Sequence, residues 1–180
     1  YVTSGVTPKI YVVEGHSEFT LDRLGVRQTI EKENYVAESL NLLTTPEVPA
    51  DADIVLILSP EFDLAEREAE ALLKYLENDG SAMFFFDFNS ADLTRFNEVL
   101  GSFGIGIGPG IVMESDKSRL YSPDNPLWLA PKLIEHEITD PLITDGLTIL
   151  MPTNLPVRTA DIRKRNVVLE PLLQSSEKSW

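Results

Sequence analysis

Short apolar runs alternate along this chain with longer amphipathic stretches, and that alternation sets the expected order of elements. Ile10 to Val13 (IYVV), Ile54 to Leu58 (IVLIL) and Ala82 to Phe88 (AMFFFDF) are rich in β-branched and aromatic residues. Runs of this kind predict parallel strands covered on both faces. Tyr35 to Leu43, with Val36, Leu40 and Leu42 apolar, predicts one more strand. Glu18 to Lys32, with Phe19, Leu21, Leu24, Val26 and Ile30 apolar and Gly25 interrupting, predicts a helix that Ser17 would cap. A stronger helix is expected from Asp63, with Glu66 completing a capping-box-like pair and Leu64, Ala65, Ala69, Leu72, Leu73 and Leu76 on one face. Gly80 would close it at C′. Ser90 would cap a third helix carrying Leu93, Phe96, Leu100 and Phe103.

Two prolines in TTPEVPADAD, Pro46 and Pro49, make that stretch a loop. The second half is less regular. Ile105 to Val112 (IGIGPGIV) reads as a glycine-broken strand, Tyr121 to Pro131 as a proline-rich excursion over the sheet edge, and Leu147 to Met151 and Asn166 to Leu169 as later strands. Strands alternating with helices predict an α/β fold, an open and mostly parallel sheet with helices on both faces. Parallel crossovers would bring Glu14 to Glu18, Ser59-Pro60 and Asp87 to Ser90 to one carboxyl edge, where open α/β sheets bind ligands.

Length and composition fit a single α/β domain over residues 1–180. Hydrophobic residues at 43% and charged residues at 24% describe a globular chain and not a disordered one. Charge narrows the partners. With 29 acidic against 15 basic residues, a formal net charge of −14 and no basic run, nucleic acid and anionic lipid surfaces are disfavoured. No run reaches the roughly 20 apolar residues of a membrane span, so the chain reads as soluble. A start on Tyr1 without Met and a polar end at QSSEKSW are what a soluble fragment of a longer, membrane-anchored protein would show.

Candidate chemistry is sparse. Cysteine is absent, which removes disulfides, thiolate nucleophiles and Cys-ligated zinc together. The two histidines each lie among carboxylates, as Glu14-Gly15-His16-Ser17-Glu18 and Glu135-His136-Glu137. Such groups bind a divalent metal only where the ligands converge, and HxE is not HExxH. A neighbouring carboxylate would instead raise a histidine's pKa. Ser17, Ser59 and Ser90 fall near the expected edge, but none sits in GxSxG. IGIGPGIV is neither a P-loop nor GxGxxG, and no cofactor motif is found. The candidate ligand-binding set is His16, Ser17, Glu18, Ser59, Asp87 and Asn89, with His136 folding back over the same edge as a lid. His136 would there share a network with Glu14 or Glu18. Tyr121 and Trp128 are read as apolar cover, with sugar stacking as the alternative.

The ordered set GHSE, VPADADIVLILSP, LLKYLENDGSAMFFFDF, LGSFGI, EHEITDPL and VVLEPLLQSSEKSW resembles the auxiliary domain of uncharacterised ABC-type transport systems, including gliding-motility-type accessory subunits, along nearly the whole chain. The resemblance implies a flavodoxin-like sheet similar to class I glutamine amidotransferases. It also implies an extracytoplasmic domain held by flanking transmembrane helices and working with permease and ATPase subunits. Its motifs fall on Gly15, His16, Ser17 and Glu18, on Ser59 and Pro60, and on His136, Ile138 and Thr139. Amidotransferase chemistry needs a cysteine at a strand-to-helix elbow, and this chain has none. The expectation is a non-enzymatic ligand- or partner-binding domain, its ligand a small molecule or glycan. The alternatives are a hydrolase of envelope carbohydrate or peptide using His16 and Glu18, and a structural spacer.

Overall fold

A computed structural model describes residues 7–23, 25–88, 92–163 and 167–180, without the side chains of 161–163. The chain forms two compact units, Tyr1–Leu100 and Gly101–Trp180. The first holds β1 (Lys9–Val13), α1 (Val26–Lys32), β2 (Val36–Leu40), β3 (Ile54–Leu58), α2 (Glu66–Glu77), β4 (Ser81–Phe85) and the start of α3 (Thr94–Ser102). Its four strands form one parallel sheet in the order β2-β1-β3-β4.

Alternation along the strands divides the core into two layers. Tyr11, Val13, Val55 and Ile57 face Ala69 and Leu72 of α2 and Phe96 and Val99 of α3. Val12, Leu56 and Ala37 face Leu21 and Ile30 on the other side. A mixed α/β architecture with helices on both faces of a parallel sheet is therefore present, as the alternating pattern predicts.

Several local expectations need correction. β4 is an edge strand buried on one face only: Ala82, Phe84 and Phe86 pack on the α2–α3 layer, while Met83 and Phe85 are 51% and 50% exposed. Helix α1 is only seven residues long, and the layer it builds reaches no further than β3. No helix starts at Glu18, because its carboxylate turns back to accept the N–H groups of Gly15 (3.0 Å) and His16 (2.6 Å). Ser17 is thus no cap, and α1 begins only after Gly25, at φ 76°.

Asp63 does not cap α2 either. Its carboxylate accepts the Arg95 and Phe96 N–H groups at 2.8 and 3.2 Å and so caps α3. At the start of α2 it is Glu68 that reaches back to the Ala65 N–H, at 2.7 Å. Asp79, at φ 64°, takes the left-handed position after α2, and Gly80 is needed for another reason. A Cβ there would lie 2.6 Å from the Tyr75 ring and from its carbonyl oxygen. Ser90, the expected cap of α3, lies outside the described residues.

The second unit is built from two-stranded antiparallel ladders: β5 (Phe103–Ile107) with β9 (Val157–Arg163), β6 (Trp128–Leu129) with β8 (Met151–Pro152), and β7 (Lys132–Leu133) with β10 (Leu173–Gln174). The short helix α4 (Asp140–Thr144) lies between β7 and β8. Val167 to Leu169 form no strand, and the strand expected at 147–151 is reduced to β8. Tyr121 and Trp128 are exposed, with ring centroids 6.0 Å apart, so they are not the buried apolar cover expected of them.

Candidate functional site

Residues 14 to 18 leave the carboxyl end of β1 as a loop held by the side chains of Glu14, His16 and Glu18. Glu14 donates its N–H to the Leu40 carbonyl, and its carboxylate accepts the Leu21 N–H and the Ser39 hydroxyl at 3.0 and 2.9 Å. That fixes the loop to β2 and to the segment before α1. Ser17 adopts φ 60°, a left-handed conformation that costs a non-glycine residue of order 1–3 kcal/mol. The consequence is a reversal of direction: His16 and Glu18 turn inward while Ser17 stays exposed. The His16 carbonyl accepts the Glu61 and Phe62 N–H groups, tying the loop to the segment after β3.

His16 is 3% exposed, between Glu18 at 4% and Glu68 at 2%. Its Nδ1 lies 2.7 Å from Glu18 Oε1 and its Nε2 lies 2.9 Å from Glu68 Oε2. Two carboxylates facing two ring nitrogens call for an imidazolium that donates both hydrogen bonds. Burial works against that charge, but the bonds to Glu18 and Glu68 outweigh it and raise the His16 pKa to about 9. For Glu18 burial likewise opposes ionisation, and the His16 bond together with backbone N–H donors holds its carboxyl below the ordinary value. Among the described residues Glu68 Oε1 is buried without a hydrogen-bond partner, so the protonated His16, with the Ala65 N–H, is what compensates this carboxylate. The Phe96 ring stands edge-on to the imidazole, 6.4 Å between centroids. The triad thereby links the β1 loop to the first turn of α2.

Above it the structure brings Ser17, Ser59 and Asp87 together. They line a cleft of about 180 Å³ with Phe19, Arg23, Pro60 and Glu61. Ser59, like Ser17, is left-handed, at φ 54°, and its N–H donates to the Phe85 carbonyl at 2.7 Å. Two strained serines at the ends of β1 and β3 thus meet in one recess. Asp87 accepts the Phe88 N–H at 2.6 Å. The Arg23 guanidinium lies 4.6 Å from the Phe19 ring centroid.

The candidate set therefore divides. His16 and Glu18 are buried beneath the cleft, Ser17, Ser59 and Asp87 line it, and Asn89 lies outside the described residues. His136 belongs to the second unit, where its partner is Glu170, at 3.0 Å from Nε2, and not Glu14 or Glu18. Its Nδ1 accepts the Ile138 N–H, and its carbonyl accepts the N–H groups of Thr139 and Asp140, so the H-x-I-T motif forms the turn into α4. Among the described residues no three His, Asp or Glu side chains converge as a metal site. Nor is any helix long and apolar enough to cross a membrane.

Sequence reasoning missed Glu68, Arg23, Phe19 and Glu61. A signal existed for Glu68. It lies three residues after Ala65 and four before Leu72, on the apolar stripe of α2, and a glutamate there needs a buried partner. Arg23 carries no such spacing signal.

Fold and site together define a mixed α/β protein whose parallel sheet carries a small polar cleft at the carboxyl ends of β1, β3 and β4. Residues 7–180 match the family model ABC_transp_aux, described as ABC-type uncharacterized transport system, and the chain belongs to that family. The family name points to an auxiliary component of an ABC-type transport system. The solved mmIFT52 N-terminal domain is similar in fold, with a TM-score of 0.63 and 17% identity over 85% of this chain and 69% of that one. No curated protein matches the chain.

Proposed function

We propose that the protein is a non-enzymatic binding domain of an ABC-type transport system, held outside the cytoplasm and working with permease and ATPase subunits. The observation that carries this reading is the division between triad and cleft. Both nitrogens of His16 are engaged and buried, so neither has a lone pair to accept a proton from Ser17, Ser59 or a bound water. A general base needs that reach. What faces solvent is a recess of hydroxyl, carboxylate and guanidinium groups suited to binding. The order β2-β1-β3-β4 is also how a flavodoxin-like sheet begins, and the cleft lies outside β1 and β3, where such a sheet reverses direction. This supports the flavodoxin-like, amidotransferase-like reading of the fold, without the cysteine chemistry.

Because the chain lacks cysteine, Ser17→Cys creates a unique attachment point for a photocrosslinker at the cleft. Crosslinking in native membranes to a permease encoded beside this gene is the expected result. Reproducible hydrolysis of model esters or envelope glycans, abolished by Ser59→Ala in a folded protein, would overturn the binding reading.

A further inference from the structure

We infer that the exposed Tyr121–Trp128 pair of the second unit is a carbohydrate-stacking site, taking the apolar face of an uncharged pyranose with equatorial hydroxyls, as in a β-linked glucan. The inference concerns the second unit alone and does not rest on the cleft described above.

The pair is built by strand register. Leu120 bridges Leu129 in the antiparallel sense, and Trp128 pairs with Pro152 of β8. Tyr121 donates its N–H to the Trp128 carbonyl at 2.9 Å. Successive strands therefore set Tyr121, Trp128 and Pro152 in one exposed row, while Leu129 turns to the buried side. The turn between the two aromatics is pinned. Asn125 donates its N–H to the Ser122 carbonyl and accepts the Leu127 N–H on Oδ1, and the Pro126 and Leu127 carbonyls accept the N–H groups of Glu114 and Thr153. Two large rings are thus held out at 65% and 41% exposure on a fixed support, and an exposed apolar patch of this kind marks an interaction site.

Geometry and charge select the occupant. With centroids 6.0 Å apart and planes tilted by 47°, the rings pack on each other and leave no slot between them for a proline ring of the kind polyproline grooves hold. What they offer is their outer faces. Among the described residues the Trp128 Nε1–H and the Tyr121 hydroxyl have no hydrogen-bond partner, so free polar atoms rim the apolar surface. A pyranose with equatorial hydroxyls is divided in the same way, with C–H groups over its faces and hydroxyls around its edge. Charge removes the rivals. Arg119, whose carbonyl accepts the Ala130 N–H one step along the same ladder, forms no salt bridge among the described residues, and its cation opposes a basic segment stacking on the rings. Asp124, exposed in the turn, and the net charge of −14 oppose acidic glycans and bases carried on a phosphate backbone. An uncharged ligand is compatible with both.

Cellohexaose is the probe, with hexagalacturonate and a polyproline peptide as competitors for the assignment, and binding to the full chain is followed by chemical-shift titration. Cellohexaose is expected to move the indole N–H signal of Trp128 and the amides of Tyr121 and Leu129. Tyr121→Ala should weaken binding about tenfold, the upper scale of one aromatic contact, and Trp128→Ala should abolish it. Trp128→Phe, which keeps a ring and loses the N–H, should fall between wild type and Trp128→Ala. Both side chains are exposed, and undisturbed amide spectra away from β6 verify that the variants fold.

Hexagalacturonate or polyproline binding at these signals as tightly as cellohexaose would overturn the assignment, as would cellohexaose binding that survives Trp128→Ala. Absence of any shift with cellohexaose would overturn it as well. The transport reading is judged separately, by the crosslink from position 17, which uses none of these ligands.

Discussion

The two histidines occupy similar surroundings in the sequence and opposite ones in the fold. Each has carboxylates within two residues, yet His16 is sealed between Glu18 and a glutamate 52 residues away in α2, while His136 stays partly open, one ring nitrogen on Glu170 and the other on the Ile138 N–H. The units around them differ in the same sense. In the first, a buried acid is balanced by an opposite charge. In the second, Glu114, 2% exposed, is held by neutral donors: its carboxylate accepts the Asp116 N–H (2.7 Å), the Ser176 N–H (2.9 Å) and the Ser176 hydroxyl (2.6 Å). Burial opposes its charge, and these donors outweigh burial to keep its carboxyl below the usual range. The lesson is that local carboxylate–histidine spacing says little about role. What matters is whether the pair lies under a packed layer, where charges must be matched.

The largest expected effect is that of His16→Ala. It leaves Glu18 and Glu68 buried without their shared cation, and losses of about 3–5 kcal/mol accompany the breaking of such a site. Urea unfolding followed by residue-resolved hydrogen exchange should show the loss across β1, β3 and α2; unchanged stability would mean the triad is not a charged assembly in solution.

The pH dependence should be nearly as large. His16 has a pKa raised from 6.5 to about 9, so its contribution is full below about pH 6.5 and is lost as pH rises through 9. A gap of that size corresponds to something on the order of 3 kcal/mol. Glu18 has the opposite sign: its lowered pKa gives a contribution that is present above the ordinary carboxyl range and lost as pH falls. The first unit should therefore be most stable between mildly acid and neutral pH. In His16→Ala the alkaline decline should vanish, and persistence of that decline would assign it to other groups.

Glu114→Ala sharpens the comparison from the other side. It orphans two N–H groups and a hydroxyl, for which about 1–3 kcal/mol is expected, read as faster exchange at Asp116 and Ser176 with the first unit unaffected. The smallest change should come from His136→Ala. Its bond to the exposed Glu170 is of the kind worth about 0–1 kcal/mol, so urea midpoints close to wild type are expected. A loss matching that of His16→Ala would show that exposure is not what separates the two sites.

Much of the first unit was legible because its signals are local. Five consecutive branched apolar residues can hardly be anything but the buried strand β3, and the stripe from Leu64 to Leu76 forms α2 close to where periodicity places it. The carboxyl edge followed from strand direction, and Ser17, Ser59 and Asp87 share a cleft there. Other features depended on position in the sheet. AMFFFDF has the apolarity of a central strand, but apolarity does not record whether a helix covers its second face, and Met83 and Phe85 lie open.

The sequence by itself determined the alternation of strands and helices, the acidic balance and the absence of thiol chemistry, since each follows from neighbouring residues or from composition. Only the tertiary structure decided that His16 is a buried cation and not a solvent-facing base. Its second partner, Glu68, comes from another element, and desolvation, which makes their contact strong, exists only once the sheet and α2 have closed over it.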